Sequence, residues 1–156
     1  LTDLDQVEAI DQLSFSTPWP KQAFHYELTR NQNAICWVAE WVEPGQQPVV
    51  VAAIVVWLIL DEAHISTLAV HPEYRRRGIA QQLLAKVLLV CAQTGAAQVY
   101  LEVRANNHAA QRLYHKFGFV AVGIRKGYYQ DTGEDAVLMT LSSLDLEKLA
   151  ELIEGG

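Results

Sequence analysis

The longest apolar run in the sequence, residues 49–60, limits most strongly which folds the chain can adopt. It is twelve residues long, well short of the roughly 20 that a membrane-spanning helix needs. Both this run and residues 34–42 are rich in Val, Ile and Trp, which favour strands. Because Glu43-Pro44-Gly45 is typical of a break between strands, the two segments are predicted to form an antiparallel pair.

The other segments alternate between helical and strand periodicity. Helices are predicted for residues 3–16, 78–94, 106–117 and 144–153, with a further helix capped by Thr17. Strands are predicted for residues 64–70, 97–104, 119–125 and 135–141, with a turn at Asp61-Glu62 and with Tyr128 and Tyr129 in a loop. This order of elements predicts an α/β chain with a mixed sheet and helices packed on it.

Composition and charge predict one acidic domain, spanning residues 1–156, in the cytoplasm. Hydrophobic residues make up 51% of the chain, which is enough to bury a core. Acidic residues outnumber basic ones by 18 to 12, and the resulting charge of −6 argues against nucleic acid or an anionic membrane as a partner and favours a cationic substrate. Cys36 and Cys91 lack the spacing of a zinc site or a disulfide framework, and the N-terminal residues lack the pattern of a secretory signal.

A basic, glycine-containing turn, Arg75-Arg76-Arg77-Gly78-Ile79-Ala80, lies between a predicted strand and a predicted helix. Free N–H groups at a helix start bind anions, and glycine lets phosphate oxygens approach the backbone closely. The arginines add charge that suits a pyrophosphate, although three arginines are also typical of a solvated helix start. The turn has neither the glycine spacing of a Rossmann fingerprint nor the Gly-Lys-Ser/Thr of a P-loop.

Residues 68–80 (LAVHPEYRRRGIA) resemble the coenzyme A-binding motif of the GNAT superfamily of N-acetyltransferases, whose pattern is Arg/Gln-x-x-Gly-x-Gly/Ala. Arg75, Gly78 and Ala80 match that pattern. The resemblance implies acetyl-CoA as co-substrate and a mostly antiparallel sheet that splays at the cofactor site. It also implies that the pyrophosphate binds the backbone N–H groups of Arg75, Arg76, Arg77, Gly78, Ile79 and Ala80. The pantetheine arm is implied to pair with the strand backbone of Leu68, Ala69 and Val70.

A second motif covers residues 101–104, 107–114 and 117–119. It resembles the RimI-like subfamily of this superfamily, which acetylates the N-terminal alanine of a small-subunit ribosomal protein. The resemblance implies that Glu102 is the base, that Tyr114 is the acid and that Asn107 contacts the coenzyme A arm. The implied partner is the N-terminus of an acceptor protein or peptide, with a ribosomal protein as the candidate.

Acid–base chemistry gives an independent reason for a carboxylate and a phenol at these two positions. An α-amino group, with a pKa of about 7.7 to 8.0, needs only modest help from a carboxylate, and a phenol can protonate a departing thiolate. A lysine amine demands roughly 3 kcal/mol more, so one carboxylate favours an N-terminal amine without excluding lysine. Glu102 also fits an ordinary solvated carboxylate, and Tyr114 fits a core tyrosine. The alternatives are a protein lysine or small-molecule amine as acceptor, or a non-catalytic acyl-CoA-binding regulatory module.

Three aromatic residues are candidates for the acceptor groove. Trp19, Tyr128 and Tyr129 stand in segments that resemble the two flanks of the groove in RimI-like enzymes. Their stiff, amphipathic rings suit a peptide backbone, although core packing explains each one singly as well.

The sequence also departs from the family pattern. Family members usually begin with a strand, whereas here the first residues lead into a helix, so either that strand has been trimmed or the sheet is one strand short. Residues 144–153 form an extra helix whose apolar stripe is expected to dock on the domain or to serve a partner. His64, His71 and His108 are lone histidines without metal-ligand spacing, so no metal is predicted. The oligomeric state is left open.

Overall fold

The computed structural model describes residues 3–14, 33–129 and 131–154. Its strands are β1 (Ala34–Trp41), β2 (Val49–Ile59), β3 (Glu62–Val70), β4 (Gln98–Arg104), β5 (Val120–Tyr129) and β6 (Glu134–Leu141). Its helices are α1 (Leu4–Ser14), α2 (Ile79–Gln93), α3 (His108–Phe117) and α4 (Leu146–Glu154), with a 3-10 turn at Pro72–Tyr74. The helix predicted to begin at Thr17 lies outside the described residues.

The strands form one six-stranded sheet in the order β1-β2-β3-β4-β6-β5. The β3–β4 contact is parallel, and the other neighbours are antiparallel. This confirms the predicted α/β class with a mostly antiparallel mixed sheet. Within the described residues, no helix is both long enough and apolar enough to cross a bilayer.

The parallel contact between β3 and β4 is short, and it opens a gap in the middle of the sheet. Pairing begins at Glu62–Gln98 and ends at Ile65–Leu101, so in the described structure residues 67–70 of β3 have no partner on β4. On the other side of β3, the register with β2 shifts at Ser66, which is an extra residue in the strand. A bulge of this kind bends a strand and increases its twist. We call the gap between residues 66–70 and 102–104 the wedge.

Helices cover both faces of the sheet. On one face, α2, α3 and α4 bury a large cluster that includes Leu84, Leu88 and Phe117 together with Leu101 of β4. On the other face, α1 packs through Val7 and Ile10 against a smaller cluster on β2. Side chains of β4 alternate between these faces, so neighbouring residues at the wedge point to opposite sides of the sheet.

The extra C-terminal helix docks on the domain. Leu149 and Leu152 of α4 are buried in the main core. The side-chain amide of Gln81 on α2 donates to the carbonyl of Leu152 at 2.8 Å, and Gln82 donates to the carbonyl of Ile153. These bonds satisfy carbonyls that the last turn of a helix leaves free. The apolar stripe of this helix therefore packs on the domain itself.

The prediction that Tyr128 and Tyr129 lie in a loop is wrong, because β5 continues through both. Pairing with β6 is interrupted and then resumes at Tyr129–Glu134. Gly127, with φ 62°, donates its N–H to the Asp135 carboxylate at 2.9 Å. Glycine with positive φ here marks an irregularity inside a strand instead of its end.

The predicted turn between β2 and β3 is displaced by one residue. Leu60 has a positive φ of 56°, and Glu62 already pairs with Ile59 as part of β3. The turn therefore lies at Leu60–Asp61 and not at Asp61–Glu62, because the strand pair closes one residue earlier than the acidic residues indicate.

Candidate active site

The wedge exposes strand backbone beside a helix start. Leu68, Ala69 and Val70 lie on the part of β3 that has no partner on β4 in the described structure. The carbonyl of Val70 accepts a bond of 3.1 Å from Nε of Arg75. This bond ties the turn that follows β3 to the end of the strand.

The turn before α2 has two left-handed residues. Arg76 has φ 65°, and Gly78, the residue before the helix, has φ 76°. A positive φ is unfavourable for arginine and costs on the order of 1–3 kcal/mol, and such residues cluster at functional sites. No side chain caps α2 at its N-terminus, so the N–H groups of its first turn, next to the small Ala80, are presented to an anion.

The three arginines of this turn have different surroundings. Arg75 is bonded to the β3 backbone, whereas Arg76 is exposed. The guanidinium of Arg77 lies over the rings of Trp41 and Tyr74, at 4.9 and 5.0 Å from their centroids. Arg77 is thus stacked on aromatic rings, and its predicted role as a phosphate ligand rests on its charge and backbone N–H.

Glu102 lies at the point where the wedge opens, on the face that α1 covers. Its carboxylate is 3.1 Å from Nε2 of His64 on β3, and the two side chains are 25% and 35% exposed. The hydrogen bond from His64 lowers the pKa of Glu102 below its ordinary value of 4.5, partial burial opposes this, and the charges of His64 and Arg125 lower it further. The carboxylate is therefore ionised and able to accept a proton at neutral pH.

Tyr114 lies on the opposite face of the sheet, in the main core. It lies on α3, is 7% exposed, and packs against Phe119 with ring centroids 5.5 Å apart. Burial raises the pKa of Tyr114 well above its ordinary value, and the nearby Tyr129 raises it further. The phenol therefore keeps its proton throughout the neutral and alkaline range.

Tyr129 links these two groups electrostatically. Burial raises the pKa of Tyr129 to about 12, the Arg104 guanidinium opposes the shift, and the neighbouring Tyr128, Glu102 and Glu134 add to it. Because Tyr129 also perturbs Tyr114, its hydroxyl lies within electrostatic reach of both Glu102 and Tyr114. The end of β5 is thus electrostatically coupled to both residues.

The remaining predicted residues are placed as follows. Asn107 caps α3, since its side-chain oxygen accepts from the N–H of Ala110 at 3.1 Å. Tyr128 is 43% exposed, and Arg125 lies 5.4 Å from its ring centroid. Trp19 is outside the described residues.

Sequence reasoning missed three residues of this site. His64 is a lone histidine in the sequence. Its only indication of a role at the site is that it shares a face of the sheet with Tyr100 and Glu102 of β4. Arg104 shares the alternating face of Glu102, but its partners on the β5–β6 connection are distant in sequence. Ser66 had no signal, and its buried hydroxyl has no hydrogen-bond partner within the part of the chain that the structure describes.

Both cysteines lie away from this chemistry. Cys91 is fully buried in α2, and burial raises the pKa of its thiol to about 11. Cys36 is partly buried against the cluster beneath α1. A thiol that stays protonated is a poor nucleophile, which favours direct transfer over a covalent enzyme intermediate at Cys91.

A strand pair that separates beside an uncapped helix start, with an ionised carboxylate at the point of separation, is the arrangement that the GNAT motifs in the sequence imply. Residues 4–119 match the Acetyltransferase (GNAT) family. The chain belongs to this family of N-acetyltransferases, as the sequence motifs predict.

Its relatives include enzymes named for one acceptor. The chain is 40% identical over 139 residues to a putative ribosomal protein bS18-alanine N-acetyltransferase of Bacillus subtilis strain 168, and the match covers 89% of each chain. It is 34% identical over 142 residues to the ribosomal protein bS18-alanine N-acetyltransferase of Escherichia coli K12, covering 90% of this chain and 91% of the relative. The predicted resemblance to the RimI-like subfamily is confirmed.

A solved structure of the same kind has the same fold. The crystal structure of the ribosomal-protein-S18-alanine N-acetyltransferase from Escherichia coli superposes with a TM-score of 0.78 at 32% identity, covering 92% of this chain and 90% of that one.

Proposed function

We propose that this protein acetylates a protein N-terminal α-amine with acetyl-CoA, and that its acceptor is the N-terminal alanine of a small-subunit ribosomal protein. The observation that carries the proposal is the ionised Glu102 carboxylate, held by His64 where β3 and β4 separate. The names of the relatives at 40% and 34% identity support the choice of acceptor. A cytoplasmic location stays a prediction.

The residues at the wedge fit acetyl-CoA. The backbone of Leu68 to Val70 offers amide groups to the two amides of a pantetheine arm. The left-handed Gly78 and the uncapped start of α2 offer N–H groups to a pyrophosphate. The buried hydroxyl of Ser66, the extra residue of β3 at the wedge, lacks a partner among the described residues, and such a group calls for an explanation.

Each side chain has a definite task in the proposed reaction. Bound acetyl-CoA supplies the activated acetyl group as a thioester. Glu102 takes a proton from the acceptor ammonium, directly or through one water, so that the nitrogen can form its bond to the acetyl carbon as the carbon–sulfur bond breaks. Tyr114 supplies a proton to the departing thiolate from the other face of the sheet, and the second proton that the nitrogen loses as it becomes an amide restores the phenol through solvent. Backbone N–H groups near Leu68–Val70 stabilise the negative charge that develops on the carbonyl oxygen.

The strength of the base supports an α-amine over lysine. A carboxylate whose pKa is lowered is a weak base, and removing a proton from an α-ammonium costs roughly 3 kcal/mol less than removing it from lysine. An aromatic end of β5, with Tyr128 and Tyr129, suits a peptide backbone next to the amine.

The test is a mass-spectrometric screen with acetyl-CoA and four kinds of acceptor. These are peptides beginning with alanine, including the N-termini of small-subunit ribosomal proteins, peptides with other first residues, N-terminally blocked peptides containing lysine, and polyamines. Acetylation of the alanine peptides at their α-nitrogen is expected. Preference for blocked lysine peptides or polyamines would reject an N-terminal alanine as the acceptor. Cleavage of the thioester without acetylation of any of the four kinds of acceptor would reject the transferase role.

His64 is expected to lower the pKa of Glu102, so replacing His64 should raise that pKa. In His64→Ala the hydrogen bond that lowers the pKa of Glu102 is lost, so the pKa of Glu102 rises. The loss of rate that protonation of Glu102 causes at acid pH then begins at a higher pH, while the fall between pH 8 and 6, which follows the acceptor amine, stays in place. His64→Gln can restore a donor without a charge, so a smaller displacement is expected. NMR titration of the Glu102 carboxyl carbon checks the cause directly, and an unchanged titration in His64→Ala would contradict this role.

Asn107 is expected to have two separable roles. Asn107→Asp keeps an oxygen that caps α3 but removes the NH₂ donor, so stability is retained while coenzyme A binds more weakly. Asn107→Ala loses the cap as well, which costs about 1 kcal/mol. Urea denaturation and calorimetric titration with coenzyme A measure the two effects. Equal coenzyme A affinity in Asn107→Asp and the wild type would leave Asn107 as a cap alone.

A further inference from the structure

Arg104 has the densest set of contacts near the site, and nothing in the proposed chemistry yet uses it. It is the last residue of β4, two residues after Glu102 and on the same face. Its side chain is only 17% exposed. A charge that is this well buried needs partners.

Those partners run from the last residue of β5 to the first residue of β6. The guanidinium lies 4.0 Å from the ring centroid of Tyr129. It is 3.1 Å from an Asp131 carboxylate oxygen, 3.3 Å from the Thr132 hydroxyl and 3.6 Å from Glu134. The face of the Arg104 guanidinium thus stacks on the Tyr129 ring, while its N–H edges bind residues 131–134. Only a planar, forked cation can make both kinds of contact at once.

The same contacts are reinforced through the backbone. The side-chain amide of Gln111 on α3 donates to the carbonyls of Arg104 and Ala105, at 3.1 and 3.0 Å. Glu134 accepts from the N–H of Asn106 at 2.9 Å with its second oxygen. The start of α3, the end of β4 and the β5–β6 connection therefore form one hydrogen-bonded unit around Arg104.

What this unit positions is the Tyr129 ring. Tyr129 raises the pKa of Tyr114, and Glu102 raises the pKa of Tyr129, so the ring lies within electrostatic reach of both proposed proton-transfer groups. It belongs to the segment to which the proposed acceptor peptide is assigned. A ring that swung away would leave the acceptor backbone without one wall of its groove.

We infer that Arg104 is a positioning residue for the acceptor: by stacking on Tyr129 and pairing with Asp131 and Glu134, it fixes the wall against which the acceptor's first residues bind. This inference rests on the proposed function. It predicts that Arg104 acts on the KM of the acceptor and not on the KM of acetyl-CoA, because the contacts of its side chain among the described residues are with Tyr129, Asp131, Thr132 and Glu134 and not with residues 66–70 or the start of α2.

The test is a double-mutant cycle of Arg104→Lys and Tyr129→Leu, read in the KM of each substrate. Lysine keeps the charge but loses the fork and the planar stack. For Arg104→Lys alone, the acceptor KM is expected to rise about ten- to thirtyfold, with the acetyl-CoA KM unchanged within about twofold. In the Tyr129→Leu background the same substitution should change the acceptor KM by less than about threefold, because the ring that it positions is gone.

Arg112→Lys is the matched control, since Arg112 is exposed on α3 and outside the site. Hydrogen exchange of residues 131–134 should increase in Arg104→Lys and not in this control. An equal effect of Arg104→Lys in both backgrounds, or an equal rise in both KM values, would overturn the inference and leave a general structural role. Failure of the proposed function is a different result, because it appears in the wild type as a preference for lysine or polyamine acceptors.

Discussion

Glu102→Gln is expected to lower kcat for the acceptor peptide by about 10²- to 10³-fold at pH 6 to 7. The effect is of the size that a positioned base contributes, because glutamine keeps the shape of the side chain but cannot take the ammonium proton. The loss should shrink as the pH rises above the acceptor's own pKa of about 8, since the free amine then forms without help. Steady-state kinetics between pH 6 and 9.5 measure this.

The lowered pKa of Glu102 also predicts the pH dependence of the wild-type rate. Because its pKa lies below 4.5, Glu102 is ionised over the whole working range, and the fall of the rate between pH 8 and 6 reflects the acceptor amine and not the enzyme's carboxylate. Glu62→Gln is the control, because Glu62 is an exposed carboxylate at the far end of β3. A Glu102→Gln enzyme as fast as Glu62→Gln at pH 6 would remove Glu102 from the reaction.

Tyr114→Phe is expected to lower kcat by about 10²-fold while the affinity for acetyl-CoA stays the same. The hydroxyl supplies a proton only to the departing thiolate, so its loss affects a step after binding. Because burial raises the pKa of Tyr114, the phenol stays protonated, and the deficit should be similar from pH 7 to 9.5. This flat dependence contrasts with the deficit of Glu102→Gln, which declines over the same range.

The control for this variant is Tyr100→Phe, which removes a hydroxyl that bonds to Gln98 on the same strand. Its kcat is expected to match the wild type. A Tyr114→Phe deficit that disappears with an acyl donor of lower leaving-group pKa would support proton donation, because such a thiolate leaves without a proton. A deficit that stays the same with that donor would reassign Tyr114 to packing beside Phe119.

Local patterns predicted most of the elements. The alternation of β4, the cap at Asn107 and the glycine that ends α3 each involve residues within a few positions of one another. The resemblance to the RimI-like motif then implied Glu102 and Tyr114 as the base and the acid. The loop assigned to Tyr128 and Tyr129 failed for a related reason, since Gly127 signals a break locally, whereas the resumed pairing of Tyr129 with Glu134 needs the facing strand.

The sequence by itself determined the family, the strand and helix periodicities and the residue types suited to acetyl transfer, because these depend on composition and short spacings. Only the tertiary structure decided that His64 holds Glu102 across 38 positions of sequence and that Arg104 holds Tyr129. The first contact follows from the register of the neighbouring strands β3 and β4, and the second from the registers of β4 and β5 with β6, which lies between them. A one-residue slip would turn each side chain to the other face. The wedge has the same origin, because the β3–β4 pairing ends at Ile65–Leu101 and leaves Glu102 at its mouth.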